Sequence, residues 1–494
     1  MSAHPLRIYP SPEQNECSKD PLVVDLDGTL IRTDTLIEQF AAIFFNSPLK
    51  ALQCLASLRK GRAEFKQAVA QHSCIDLINL PRREALVAYL QQERAAGRSL
   101  HLVSAANNEI VQQYGHSLGM FDTIQGSSET LNLKGRAKRK YLDEQFPEGY
   151  VYAGDSNADL VVWAGASAAV LAGTSPRTAR RAATLNIPIE REFDTRHPSI
   201  KSWVKSLRLH QWSKNLLLFV PLVMSSNVHT VSVFATCLFG FLLMGMVASA
   251  TYVINDAADI ESDRRHPVKK LRPLASGTIS LQSAMMAAPL ALVLCLGTAF
   301  WLNTAFAQVL TAYLIITLGY SFKLKSVPIL DVMILAILYC LRLLMGMALA
   351  GVLPSVWLLT FAAFLFFSMS LVKRFVEICE AKVPENEFIH GRGYKPIDAP
   401  LVLSMGVAAS VASVWVIIQY LMTDAFPSEL YSAPDVLWLT PLILGLWIGR
   451  VWLLANRGEL DQDPVAFAIQ DSISLLLGSA LVMTFIAARF SVPL

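Results

Sequence analysis

Two groups of side chains in this 494-residue chain have the types and spacing to do chemistry. The first lies in INDAADIESDRRHPVKKLRPLASG, residues 254–277, where Asp256, Asp259 and Asp263 stand at i, i+3 and i+7. On a helix those three carboxylates share one face. Like charges so placed repel unless something neutralises them, and Mg2+ commonly binds through one or two carboxylates plus substrate phosphates. Asn255 adds an amide, and Arg264, Arg265, Lys269, Lys270 and Arg272 follow as a cationic set suited to a diphosphate. An ordinary basic loop accounts for the Lys and Arg but not for three carboxylates in register.

The second group starts with Asp25 and Asp27, which flank Leu26 in PLVVDLDGT and can face one site. A carboxylate can attack a phosphoryl group, and a second acid can protonate the leaving oxygen. Ser104, in RSLHLVSAANN, offers a hydroxyl to a phosphate oxygen, and Lys138 offers a cation for developing charge. Asp155 and Asp159, in GYVYAGDSNAD, supply hard oxygen ligands for Mg2+. Lys134 competes with Lys138 for the lysine's place.

The elements that must position these groups differ in kind. Residues 1–210 carry frequent charges and short apolar runs, whereas from about Asn215 apolar runs alternate with short polar loops. The whole chain is 53% hydrophobic and 16% charged, too apolar for an ordinary soluble protein. About 20 apolar helical residues cross a bilayer core. Nine spans are predicted: a weak first one in NLLLFVPLVMSSN, broken by Pro221, and eight centred near residues 245, 290, 312, 340, 363, 410, 445 and 481. Lys and Arg crowd alternate loops and are missing near residues 226–233, 300–304, 351–356 and 421–436. Basic short loops stay cytoplasmic, which predicts an inner-membrane protein with its charged loops and amino-terminal half on the cytoplasmic side. The polar start lacks a signal-peptide pattern, and the seven scattered Cys fit a reducing compartment.

In the amino-terminal half each motif ends an apolar strand, with helical segments between. That alternation predicts a mostly parallel sheet with its site at the strands' carboxyl ends. The expected organisation is a polar tail over 1–20, an α/β domain over 21–176 with a helical cap at about 34–95, a linker over 177–205 and a membrane domain over 206–494.

The order DLDGT, serine, lysine, GDSNAD resembles the haloacid dehalogenase (HAD) superfamily of Rossmann-like hydrolases, over about residues 20–175. The resemblance implies Asp25 as nucleophile and Asp27 as acid/base. It implies Ser104 and Lys138 as phosphate holders, and a Mg2+ site drawing on Asp155, Asp25 and Asp27 with Asp159 in support. GRAEFKQAVAQH would belong to a cap over a small phosphorylated substrate. A domain kept for regulation or stability is the other reading.

The pattern NDxxDxxxDRxHPxKxxRPxxxG resembles the UbiA superfamily of intramembrane prenyltransferases, an all-α membrane fold. The resemblance implies that Asp256, Asp259 and Asp263 bind Mg2+ and diphosphate, with Asn255, Arg264, Lys269, Lys270 and Arg272 on the phosphates. A second polar region would be YSFKLKSVPILD, with Tyr320, Lys323, Lys325 and Asp331; the second Asp usual in that motif is missing. LRLHQWSKNLLLFVPL, LRLLMGMALAGVLPSVWLL, SLVKRFVEI and GELDQDPVAFAIQD look like the branch that moves phosphoribose from phosphoribosyl diphosphate to a polyprenyl phosphate. Lys214, Lys373 and Arg374, at cytoplasmic span ends, suit further phosphates. Arg342 lies within a span and must meet either a substrate phosphate or a carboxylate. Asp463 and Asp471 could add to the site, with DQDP as a cap of the last helix the other reading.

The expected partners are a lipid phosphate or diphosphate, phosphoribosyl diphosphate and the bilayer, with no nucleic acid. The HAD-like half would remove the 5-phosphate from the product. Transfer of a prenyl group to an aromatic acceptor is the alternative chemistry. A transporter is disfavoured, because carriers place polar sites at the midplane between repeats and no repeat is visible.

Overall fold

The computed structural model describes residues 20–490 apart from residues 74, 129–130, 194–199, 226–229, 390, 427–430 and 461–463. It divides into two compact units, one holding the chain up to Ser206 with Asp256–Met285, the other Leu207–Asn255 with Met286–Leu494.

The first unit contains a six-stranded sheet of β1 (Leu22–Val24), β2 (Leu100–Asn107), β3 (Thr123–Ser127), β4 (Val151–Gly154), β5 (Ala168–Ala172) and β6 (Ile189–Phe193). All pairings are parallel, in the order β3-β2-β1-β4-β5-β6. Successive side chains of a strand point to opposite faces, and here both faces are covered. Leu22 and Val24 enter one core with Leu100, Leu102, Val151 and Ala153. Val23 enters the other with Val103, Tyr152 and Leu171. The strand order reverses at β1, the position where open α/β sheets bind ligands beyond the strands' carboxyl ends. Asp25 directly follows β1.

Three helices after β1, Thr35–Asn46, Pro48–Ser57 and Arg62–His72, share a small core of Ile43, Ala51, Cys54 and Val69. The helix Glu84–Ala95 instead packs Leu86, Val87, Tyr89 and Leu90 on the sheet. The helix Pro176–Ala183 and β6 occupy what the sequence marks as linker. IEREF is a charged edge strand, a common device against edge pairing and one that hides the strand pattern.

The second unit is helical. Among the described residues, eight helices are long and apolar enough to cross a membrane: Val231–Ala258, Leu281–Leu302, Thr304–Phe322, Leu330–Ala350, Val356–Glu380, Pro396–Ala425, Pro434–Asn456 and Ser472–Arg489. They match the eight strong predicted spans. The weak one is not a continuous α-helical span: Leu209–Phe219 is a 3-10 helix, followed by a short α-helix, Val220–Met224, with Pro221 in its first turn. Proline suits a helix start, where its missing N–H is not needed. The 3-10 segment lies directly on the helix Leu330–Ala350, because a Cβ placed on Gly346 would stand 2.1 Å from the Leu218 carbonyl oxygen.

Candidate active sites

At the carboxyl end of the sheet, one oxygen of Asp25 accepts from its neighbour Leu26 N at 2.8 Å, and Oδ2 lies 2.8 Å from Lys138 Nζ. Lys138 projects from the helix Arg136–Gln145 and is buried against Asp25, whereas Lys134 is exposed. Lys138 also donates to Tyr152 Oη at 2.8 Å, and Tyr152 Oη donates to Asp159 Oδ1 at 3.0 Å. Asp159 Oδ2 accepts from Ser156 N at 2.9 Å, Ser156 Oγ at 2.8 Å and Asp155 N at 3.2 Å, so it fixes the turn that presents Asp155. Ser104 is buried, and its Oγ accepts from Ala106 N at 3.3 Å. Asp27 accepts from Thr35 N at 3.0 Å and Thr35 Oγ1 at 3.2 Å.

Gly28 has φ +73°, and a Cβ there would stand 2.4 Å from Asp155 Oδ2. The Asp155 carboxylate is therefore pressed against the DLDGT turn, and only glycine admits both the turn and the approach. Asp25 and Asp155 bring hard oxygens to one place, a donor set that fits Mg2+. Burial raises the Asp25 carboxyl above its ordinary value, with Lys138 pulling it back. Burial, then the Asp34 charge, pushes Asp27 well above the usual carboxylate range, the direction that keeps a proton on a general acid.

Sequence reasoning missed Tyr152 and Lys66. Tyr152 was readable from strand alternation, since its neighbours Val151 and Ala153 enter the other core. Lys66, on the helix Arg62–His72, donates to the carbonyl of Ala105, next to Ser104, at 3.2 Å; only the resemblance to a cap pointed there.

The aspartate-rich loop departs from its expected form. The helix Val231–Ala258 ends before Asp259, whose φ of −90° and ψ of 10° break the path into the short helix Ile260–Arg265. The three aspartates therefore do not stand on one unbroken helix, although Asp263 N still donates to Asp259 O at 2.9 Å. Asp256 Oδ1 and Asp263 Oδ2 lie 3.1 and 2.6 Å from the same nitrogen, Arg272 Nη1. Both carboxylates are buried while the Arg272 side chain is 28% exposed. Burial raises the Asp263 carboxyl and the Arg272 charge opposes it. Among the described residues no three His, Cys, Asp or Glu side chains gather as a metal cluster. Two converging carboxylates are nonetheless what Mg2+ needs when a substrate phosphate completes its shell, so the donors fit.

Arg264 is not placed for a diphosphate. Its Nη2 and Nη1 donate to Glu38 Oε1 and Oε2 at 2.7 and 3.1 Å, and its Nε donates to Ala275 O at 3.2 Å. Both side chains are buried, and Thr33 Oγ1 adds a hydrogen bond to Glu38. A buried charge takes the partner that desolvation demands. Beside it Arg265 binds Asp76 at 2.7 Å, while Lys269 and Lys270 are exposed. Asn255 is half-buried.

In the second unit Asp331 and Arg374, expected on substrate phosphates, face each other: Arg374 Nη2 lies 2.6 Å from Asp331 Oδ2, and both are fully buried. Tyr394 Oη donates to Asp331 Oδ1 at 2.8 Å and accepts from Ile329 N at 2.7 Å. Arg374 also pairs with Glu377, which binds Arg392 at 3.1 Å. Arg392 in turn reaches Tyr320 Oη and the Lys325 carbonyl, each at 3.4 Å. Lys214, Lys325 and Lys373 are half-buried. Asp471 accepts from Ser474 N at 2.7 Å and takes Arg450 on both oxygens, so it caps the last helix; Asp463 lies outside the described residues. Among the described residues no carboxylate pairs with Arg342: its hydrogen bonds go to Asn215 Oδ1, Leu338 O and Tyr313 Oη.

Comparison with known proteins gives this arrangement a family. Residues 216–477 match the UbiA prenyltransferase family. The protein y4nM of Sinorhizobium fredii is 40% identical over 95% of this chain and 91% of its own length. The nodulation protein NoeC of Azorhizobium caulinodans is 29% identical over 58% of this chain and 93% of its own. A decaprenyl-phosphate phosphoribosyltransferase of Corynebacterium glutamicum is 35% identical over 35% of this chain and 54% of its own length. Among solved structures, a UbiA homologue from Archaeoglobus fulgidus bound to GPP and Mg2+ aligns with a TM-score of 0.46 and 17% identity, over 58% of this chain and 99% of that one. With the family matched over more than half of the chain, and eight apolar helices in the same part of it, this integral membrane protein belongs to the UbiA prenyltransferase family.

Proposed function

We propose that the membrane domain moves 5-phosphoribose from phosphoribosyl diphosphate to a polyprenyl phosphate, and that the α/β domain then removes the 5-phosphate. The observation that carries the transfer step is the pair of buried carboxylates, Asp256 and Asp263, converging on one partly exposed arginine. The choice of phosphoribose is supported by the relatives named decaprenyl-phosphate phosphoribosyltransferase, at 35% and 34% identity. An oxygen of the lipid phosphate bonds to C1 of the ribose as the C1–O bond to diphosphate breaks and diphosphate leaves with the electron pair. The acceptor is already anionic and needs no strong base. Asp256, Asp259 and Asp263 would hold Mg2+, which acts as a Lewis acid on the departing diphosphate. Arg272 stands on the same carboxylates and is positioned to exchange them for the phosphates.

In the α/β domain Asp25 attacks the 5-phosphate, Asp27 protonates the sugar oxygen as the P–O bond breaks, and water then hydrolyses the aspartyl phosphate. Ser104 and Lys138 hold phosphate oxygens, and Asp155 with Asp25 would hold the metal. On this reading both activities act at the cytoplasmic face of the inner membrane.

The test supplies membranes containing the full chain with labelled phosphoribosyl diphosphate or labelled prenyl diphosphate and weighs the lipid products. Label from the sugar donor in a polyprenyl-phosphoryl ribose, and a product heavier by one phosphate from the Asp25→Asn protein, are expected. Label entering lipid only from prenyl diphosphate replaces this reading with prenyl transfer to a lipophilic acceptor, the activity that gives the family its name. The same final product from Asp25→Asn and wild type removes the phosphatase step.

A further inference from the structure

Arg342 sits well inside the helix Leu330–Ala350 and is only 7% exposed. An ionised side chain at such a position is costly and belongs beside a counter-charge or a polar cavity. Among the described residues no carboxylate pairs with it. Its guanidinium donates to Asn215 Oδ1 at 3.1 Å, Leu338 O at 2.6 Å and Tyr313 Oη at 3.2 Å. It also lies 5.1 and 5.2 Å from the ring centres of Tyr313 and Tyr339. Every one of these partners is neutral. Ring faces attract a cation without cancelling its charge.

Asn215 supplies an independent sign. It is 1% exposed, its oxygen is held by Arg342, and its Nδ2 is buried without a hydrogen-bond partner. Holding the oxygen fixes the amide, so the unpartnered N–H groups are aimed by the same contact. More positive charge lies in this unit: Lys214 precedes Asn215, and the Arg208 guanidinium stands 5.0 Å from the ring centre of Tyr252. A buried guanidinium among neutral groups, beside a buried amide donor lacking an acceptor, is a donor set for an anion. Oxygens of a phosphate would accept from both as charge-assisted hydrogen bonds.

We infer that Arg342 and Asn215, with the Tyr313 hydroxyl, form a buried binding site for a phosphate monoester. The anion site stands on these contacts alone; identifying its occupant as the acceptor lipid's phosphate, or as the donor's 5-phosphate, rests on the proposed phosphoribosyl transfer. The two sources share the chemistry and are separable by experiment.

The test uses the full-length protein in nanodiscs and equilibrium binding of a labelled polyprenyl phosphate against the polyprenyl alcohol of equal length. Wild type is expected to prefer the phosphate by at least about tenfold. Asn215→Asp keeps the side-chain size and gives Arg342 an internal carboxylate. That variant is expected to unfold at or above the wild-type temperature, to bind the alcohol normally and to lose the preference. Arg342→Met is expected to lose it too. Competition by ribose 5-phosphate identifies the sugar's phosphate as occupant, and indifference to it identifies the lipid's. Wild-type discrimination in both variants overturns the site. A wild type that discriminates but transfers no phosphoribose refutes the reaction and leaves the site. Unchanged transfer with an unchanged KM for lipid phosphate in both variants refutes the site and leaves the reaction.

Discussion

Arg272 and Arg374 both stand against buried aspartates, in different parts of the molecule, and their surroundings differ in two respects. Arg374 belongs to a closed set of two arginines and two acids: it meets Asp331 and Glu377, and Arg392 takes the other side of Glu377. It is 1% exposed and Asp331 is 0% exposed. Arg272 spans Asp256 and Asp263 with one nitrogen and is 28% exposed. In the first set Arg374 and Asp331 are sealed from solvent, with Glu377 and Arg392 at its partly exposed edge. The second holds two buried carboxylates on one partly exposed cation, the arrangement on which the proposed entry of a metal–phosphate rests. Exposure of the arginine, rather than residue type, separates the sealed pair from the one proposed to take a ligand.

That contrast can be broken or sharpened by substitution. Asp256→Ala and Asp263→Ala should each lower transfer by about a thousandfold while the protein remains folded, measured as labelled donor incorporated by nanodisc-embedded protein. Asp331→Asn should instead cost about 3 kcal/mol of stability by removing the fully buried carboxylate that faces Arg374 and leaving it Glu377 alone, read as thermal unfolding in detergent. Lost transfer at unchanged stability would put Asp331 in the first class. Arg264→Ala and Glu38→Ala should each destabilise by about 3 kcal/mol, and the double variant by much less than their sum.

Arg272→Gln should lower the unfolding temperature in EDTA by the equivalent of about 1–2 kcal/mol and recover it in Mg2+, because the ion then replaces the missing counter-charge. The smallest effect concerns Arg98, which is buried between Glu93 and Glu190 with the acids on the outside, the inverse of Arg272. Burial raises Glu190, and hydrogen bonds from Arg98 and Tyr89 more than offset it, leaving the carboxyl below its ordinary value of 4.5. A depressed carboxylate stabilises the fold above its unfolded value, and that contribution disappears as the pH falls through the lower folded value. Glu190→Gln should therefore cost about 1 kcal/mol at pH 7 and flatten the loss of stability below about pH 4.5, followed by circular dichroism.

Run length alone located eight spans, because nothing but lipid tolerates so many apolar residues in succession. Strand-end motifs located the parallel sheet and brought most of the polar cluster at its carboxyl end into view, because each motif is contiguous and its turn fixes where the side chains emerge. What escaped depends on contacts between distant residues. Nothing near Arg264 announces Glu38, 226 positions away, and nothing near Arg342 announces Asn215, 127 positions away. The helix break at Asp259 is equally silent, since the preceding Ala257 and Ala258 are strong helix formers. The edge strand β6 was obscured by its own charges, and the first span by a proline and a 3-10 path that hydropathy does not register.

At Gly346 a lone hydrogen is the spacer between a helix and the carbonyl of Leu218. The strip of chain resting there carries Asn215 a few residues upstream, and Arg342 is one helical turn before the glycine. A methyl at that point would touch neither polar group, yet it would lift the whole strip and prise amide from guanidinium. Lipid-facing positions nearby can drift among apolar types, whereas this one is closed to every side chain, and a change here would look like a binding defect produced from a distance.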